Sequence, residues 1–192
     1  CGRLSRVTDS AGERLLLLDT ASLYFRAFFG VPDSVRAPDG TPVNAVRGLM
    51  DFISRLVGEY DPTHLACCWD DDWRPQWRVD LLPSYKAHRV VREVPGPRPD
   101  VEEVPDPLQA QVPIILSVLE AYGIPVVGHA EMEADDVIGT LATGAGMPVD
   151  IVTGDRDLFQ LVDDDAVLAP DPGVVDALVL AHAPGDVEHA DT

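Results

Sequence analysis

Seven carboxylates stand at spacings suited to metal-dependent chemistry. Three short apolar runs each end in aspartate: Leu15–Leu18 in Asp19, His64–Trp69 in Asp70, and Val149–Thr153 in Gly154-Asp155. Asp157 follows Asp155 by two residues, and Glu133, Asp135 and Asp136 cluster at the opening of a helical pattern. Glu133 and Asp136 are i,i+3 neighbours on one helix face. In an open parallel sheet, ligands bind at the carboxyl ends of the strands, so side-by-side packing would bring these groups to one spot. Like charges that close raise one another's pKa and are costly unless cations offset them. Hard oxygen donors suit Mg²⁺ or Mn²⁺ rather than zinc. Two such ions about 4 Å apart would activate a water and stabilise the leaving oxygen in phosphodiester hydrolysis. Each group alone has a plainer reading. Asp after a strand is often turn chemistry or an N-cap, and acid in a first helical turn favours the helix dipole. The joint pattern carries the argument.

The elements that must position these groups alternate. The three runs, with Pro125–Val127 as a shorter fourth, read as buried strands. Asn44–Glu59 places Val46, Leu49, Met50, Ile53, Leu56 and Val57 at helical spacing. Pro107–Tyr122 reads as a helix with Asp106 as N-cap, and Glu133–Thr143 as another that is acidic in its first turn. Strands alternating with helices imply α/β architecture, with a mostly parallel sheet flanked by helices. Two stretches break the pattern. Residues 71–106 carry Arg74, Arg78, Lys86, Arg89, Arg92 and Arg98 among several prolines, a long connection of the functional kind. Residues 166–192 lack Lys and Arg and show one weak helical run near Val174–His182.

The chain has 192 residues and a net charge of −19. Residues 1–98 hold 13 basic and 13 acidic groups, whereas 99–192 hold 20 acidic groups and one basic one, Arg156. The length fits one domain with a sizeable core. At face value −19 argues against nucleic acid, but only if the carboxylates are uncompensated. Lys86, the only lysine, and most of the free arginines fall in the 71–106 connection, close in sequence to Asp70. No apolar run approaches a membrane span, and the N-terminus is a poor signal peptide, which implies a soluble cytoplasmic protein. Cys1 and the adjacent Cys67–Cys68 suggest neither a disulfide framework nor a zinc site. His64, His88 and His129 lack ligand spacing. Trp69 suits core packing, while Trp73 and Trp77 also suit base stacking.

Four stretches, LLLLDTASLYFRAFFG, CCWDDDWRPQWRVDLLPSYKAHR, EMEADDVIGTLA and IVTGDRDLFQLV, resemble in that order the motifs of the bacterial 5′-nucleases. These are the 5′-3′ exonuclease domain of DNA polymerase I and its free-standing relatives in the flap endonuclease family. The resemblance runs from about Leu15 to Val162 and implies a PIN-like α/β fold with a helical arch over about 71–106. It implies a two-metal nuclease acting on DNA with a 5′ single strand, flap or end, in repair or replication, as a bacterial cytoplasmic monomer. By the resemblance, Asp19, Asp70, Glu133, Asp135 and Asp155 serve the first ion, and Asp136 and Asp157 lie at or near the second. Lys86 and Arg89 act on the scissile phosphate, Tyr85 stacks on a base, and Arg78 and Arg26 are further DNA contacts. For Arg26, a salt bridge to a site carboxylate is an equal alternative.

The stretch after Asp70 is one residue longer than the family pattern, so Asp71 is an alternative to Asp70 as ligand. After Val162 nothing matches the family's further Asp ligands or its helix–hairpin–helix. The expected organisation is therefore an N-terminal tail (1–14), a nuclease domain (15–165) and an atypical acidic tail (166–192), with turnover impaired by truncation or a frameshift. A non-catalytic DNA-binding module and a PIN-type ribonuclease are the competing readings. The arch counts against the ribonuclease.

Overall fold

The computed structural model describes residues 12–92, 101–102, 104–161, 169–170 and 179–183. In chain order the elements are β1 (Leu15–Asp19), α1 (Thr20–Gly30), α2 (Asn44–Tyr60), β2 (His64–Cys68), α3 (Gln76–Leu81), β3 (Val90–Arg92), β4 (Val101–Glu102), α4 (Asp106–Gln109), α5 (Val112–Ala121), β5 (Val126–Val127), α6 (Ala134–Gly144), β6 (Val149–Thr153), β7 (Ala169–Pro170) and β8 (Val179–Ala183). Short 3₁₀ turns span Ala87–Arg89 and Arg156–Leu161.

The main sheet runs β5-β2-β1-β6-β8-β7. β1 pairs in parallel with β2 and β6, and β2 with β5, as the alternation predicts. Register sets Asp19 beside Cys68 and Leu18 beside Val152, so the three strands end level. Strand alternation then fills two cores. Leu16, Leu18, Cys67 and Val152 pack with α1, α2 and α5 residues such as Leu23, Leu49, Ile53 and Ile115. Leu17, Cys68, Val149 and Ile151 pack on the other face with Val137 and Ile138 of α6.

Four local expectations change. Helix α1 is absent from the apolar-spacing reading, because its aromatic residues and Thr20 are weak helix formers. It forms because Asp19 caps it, accepting the Ser22 N–H at 3.2 Å, and because Leu23 and Ala27 are buried. The helix expected over 107–122 is two helices. Asp106 is the first residue of α4 rather than its cap, and α5 restarts with Pro113 in its first turn, where no N–H is needed. At the break, the buried Gln111 accepts the Ala45 N–H at 2.9 Å and donates to Asn44 at 2.9 Å, capping α2 from a distant segment. The connection after Asp70 holds one short helix, one 3₁₀ turn and the β3–β4 hairpin among its described residues, and is not mainly helical. Finally, part of the weak helical run near 174–182 is strand: β8 pairs antiparallel with β6, so the sheet continues past residue 165. Residues 1–11, 93–100, 103, 162–168, 171–178 and 184–192 lie outside the described residues, and with them most of the expectations about both tails and that for Arg98.

Candidate active-site cleft

At the carboxyl ends of β1, β2 and β6 the structure opens a cleft of about 920 Å³. Asp19, Asp70, Glu133, Asp135 and Asp155 line it together with Arg26, Lys86 and Arg89. Asp19 closes β1, Asp70 follows β2 and Asp155 follows β6, while Glu133 and Asp135 sit at the start of α6. Asp71 packs against Gly128, where even a Cβ would come within 2.7 Å of its carboxylate, and it does not line the cleft.

Asp19, Asp70, Glu133 and Asp136 are held by named donors. Asp19 accepts from the Ser22 hydroxyl, the Ser22 N–H and the Thr153 hydroxyl, the last at 2.8 Å. Thr153 in turn accepts the Asp155 N–H at 2.9 Å, tying two strand ends together. Asp70 accepts the Ala134 N–H at 2.7 Å, so it also serves the first turn of α6. Glu133 and Asp136 close a capping box on the same helix.

The acids are crowded. Burial, then the charges of Asp19, Asp155, Asp70 and Glu133, push the Asp135 carboxyl up to about 7. Burial also raises Asp70, opposed by its bond from Ala134. For Asp136, burial is outweighed by the Arg78 pair and the Glu133 N–H, which hold the carboxyl below its ordinary value.

The segment after Asp70 lies over this cluster. The Lys86 ammonium and the Tyr85 hydroxyl both donate to Glu133. Arg78 makes a two-pronged pair with Asp136, at 2.8 Å on each arm, and reaches Glu133 at 3.2 Å. The Arg78 guanidinium lies 4.4 Å from the Trp77 ring centroid and 5.7 Å from that of Tyr85. Arg78 and Tyr85 therefore face the carboxylates in this structure, and neither lines the cleft. Asp136 and Asp157 also lie outside the lining. Asp157 is exposed in the 3₁₀ turn, its N–H donating to Asp155 at 2.9 Å.

Several lining residues were not singled out for this site by sequence, among them Ser22, His88 and Arg156. A signal for Arg156 existed, since it is the only basic residue after position 98. Trp69 instead packs on Tyr24 at 5.7 Å behind the cleft wall. Cys67 and Cys68 are fully buried free thiols, which burial pushes up to about 11 and about 12. Among the described residues, no three His, Cys, Asp or Glu side chains stand close enough, as placed, to enclose a metal ion. Also among the described residues, no helix is long and apolar enough to cross a membrane.

Comparison with known proteins bears on both fold and cleft. The family described as 5′-3′ exonuclease, N-terminal resolvase-like domain, matches residues 14–182. A 5′-3′ exonuclease of Streptomyces coelicolor is 68% identical over 162 residues, covering 83% of this chain and 54% of its own length. A 5′-3′ exonuclease of Mycobacterium tuberculosis is 58% identical over 154 residues, covering 80% of this chain and 48% of its own. The chain thus spans about half the length of the curated relatives it matches. Among solved structures, bacteriophage T5 flap endonuclease, in a pseudo-enzyme-product complex with DNA and metal ions, superposes with a TM-score of 0.53 at 16% identity. That match covers 79% of this chain and 53% of the other, and is a likeness of fold.

Proposed function

The chain belongs to the 5′-3′ exonuclease family through its N-terminal resolvase-like domain, and from that premise we propose that its cleft hydrolyses DNA phosphodiesters at 5′ ends and at 5′-flap or branched structures. The observation that carries this reading is Asp135, whose carboxyl is raised to about 7 by burial and by four other carboxylates beside it. So many like charges in one cleft call for cations.

The all-oxygen donor set fits Mg²⁺ or Mn²⁺. Asp19, Asp70, Glu133, Asp135 and Asp155 would hold a first ion directly or through water, with Asp136 and Asp157 at or near a second. Ions held there would supply an activated water and offset charge on the phosphate. The protein's own groups do the rest. Lys86 and Arg89 border the cleft and would meet the scissile phosphate, with Arg26 as a further phosphate contact. Tyr85 offers a ring to a base once its hydroxyl leaves Glu133. Thr153 and Ser22 keep Asp19 aimed. The T5 relative of like fold was solved with DNA and metal ions, which supports the same ligands here.

The experiment is cleavage of a 5′-flap substrate with Mn²⁺ or Mg²⁺, by this chain and by its Asp155→Asn variant. We expect slow product formation, faster with Mn²⁺, that disappears in the variant while single-stranded DNA binding stays. Binding without any product under either metal would favour a non-catalytic DNA-binding module. Product from RNA but not DNA would favour a ribonuclease.

A further inference from the structure

Glu133 is only 2% exposed and already has three partners, Lys86, Tyr85 and Arg78, all from the segment after Asp70. These contacts span 47 and 48 positions of sequence, so they also dock that segment onto α6. Glu133 carries two cationic side chains, Arg78 and Lys86, and its neighbours Asp70 and Asp135 are themselves acids under burial. Arg78 is anchored independently of Glu133 by its two bonds to Asp136 and by the Trp77 ring. Lys86 is held less firmly. Its ammonium has one further acceptor, the Trp73 carbonyl at 3.1 Å, and its backbone is left-handed, with φ 48°.

We propose that Arg78 is a positioning residue that seats the 76–89 segment on the first turn of α6, and that Lys86 is thereby the resident counter-cation of Glu133, which a divalent ion must displace. Ion uptake at Glu133 and docking of Lys86 are then mutually exclusive. The exchange leaves Glu133 with a counter-cation in both states. It also frees Lys86 for phosphate only once an ion is in place. The inference rests on the metal-dependent reading above and deepens it.

The test measures Mn²⁺ affinity by calorimetry and the fluorescence of Trp73 and Trp77 on Mn²⁺ addition, with folding checked by circular dichroism. If Lys86 competes with the ion, Lys86→Met binds Mn²⁺ about tenfold more tightly than the parent, because a cation that must be displaced has gone. Lys86→Gln, which keeps a polar side chain, shows the same direction. The parent's tryptophan emission changes on Mn²⁺ addition. Arg78→Met shows the ion-bound emission already without Mn²⁺, and Arg78→Lys restores the parent's response in part. Unchanged or weaker Mn²⁺ binding by folded Lys86→Met and Lys86→Gln overturns the inference while leaving the metal-dependent reading intact. No Mn²⁺ uptake by the parent overturns that reading, and the inference falls with it.

Discussion

Thr153 donates its hydroxyl to Asp19 at 2.8 Å and accepts the Asp155 N–H at 2.9 Å, so one fully buried side chain sets two carboxylates on adjacent strands. Thr153→Val keeps the shape but leaves the Asp155 N–H without its acceptor and Asp19 one donor short. A buried polar group so stranded costs about 1–3 kcal/mol. We expect thermal melts to show a loss in that range, and cleavage to fall at least about tenfold. Thr153→Ser should keep most of both. Equal activity in Thr153→Val and the parent would show that the hydroxyl does not position the acids.

Asp135 predicts a pH dependence. Its carboxyl ordinarily titrates near 3.8 and is raised in the fold to about 7. Between those values the folded chain holds a proton that the unfolded chain has released, so stability falls as pH rises through that window and levels off above it. Asp135→Asn removes the penalty. After discounting for partial solvent screening, the metal-free variant should gain about 2 kcal/mol over the parent at pH 8 and little at pH 4. Mn²⁺ should raise the parent's melting temperature at pH 8 more than at pH 5, where the proton competes. A variant no more stable than the parent at pH 8 would contradict the crowding.

Helices α1 and α2 meet at Gly48, where an added Cβ would lie 2.6 Å from the Ala27 Cβ and 2.9 Å from Val31 Cγ2. Both neighbours are in the fold that supports Asp19 from behind. Gly48→Ala gains helix propensity, but overpacking there costs more, about 1–3 kcal/mol. Denaturant melts should show a net loss. A stabilised variant would mean the helices can part without penalty.

What the sequence made legible follows from where the information sits. The strands ending at Asp19, Asp70 and Asp155 are visible because each is a short buried run closed by an acid. The level register of β1, β2 and β6 then brings the ends together. Helix α1 is hidden because a cap and tertiary burial hold it, rather than propensity. The break at Gln111 is hidden because its cause, the N-terminus of α2, lies 66 residues away. Likewise the Arg78–Asp136 pair spans 58 residues, so no local spacing announces that this arginine faces the acids. β8 escapes because a strand of five residues carries too short a pattern to tell from a helical fragment.

Arg156 supplies the last prediction. It lines the cleft beside Asp155, and among the described residues it makes neither an ion pair nor a side-chain hydrogen bond. Lys86, by contrast, is committed to Glu133 until released. A guanidinium exposed in an acidic cleft, yet unpaired with the acids, is available to a phosphate of the bound strand. Arg156→Ala should weaken binding of 5′ single-stranded DNA about three- to tenfold and lower the slope of log affinity against log salt by about one, the value of one lost phosphate contact. Measured by anisotropy in Ca²⁺ across a salt series, an unchanged slope would remove Arg156 from the DNA path. A parallel loss in Arg156→Lys would point instead to the two-pronged geometry that only arginine provides.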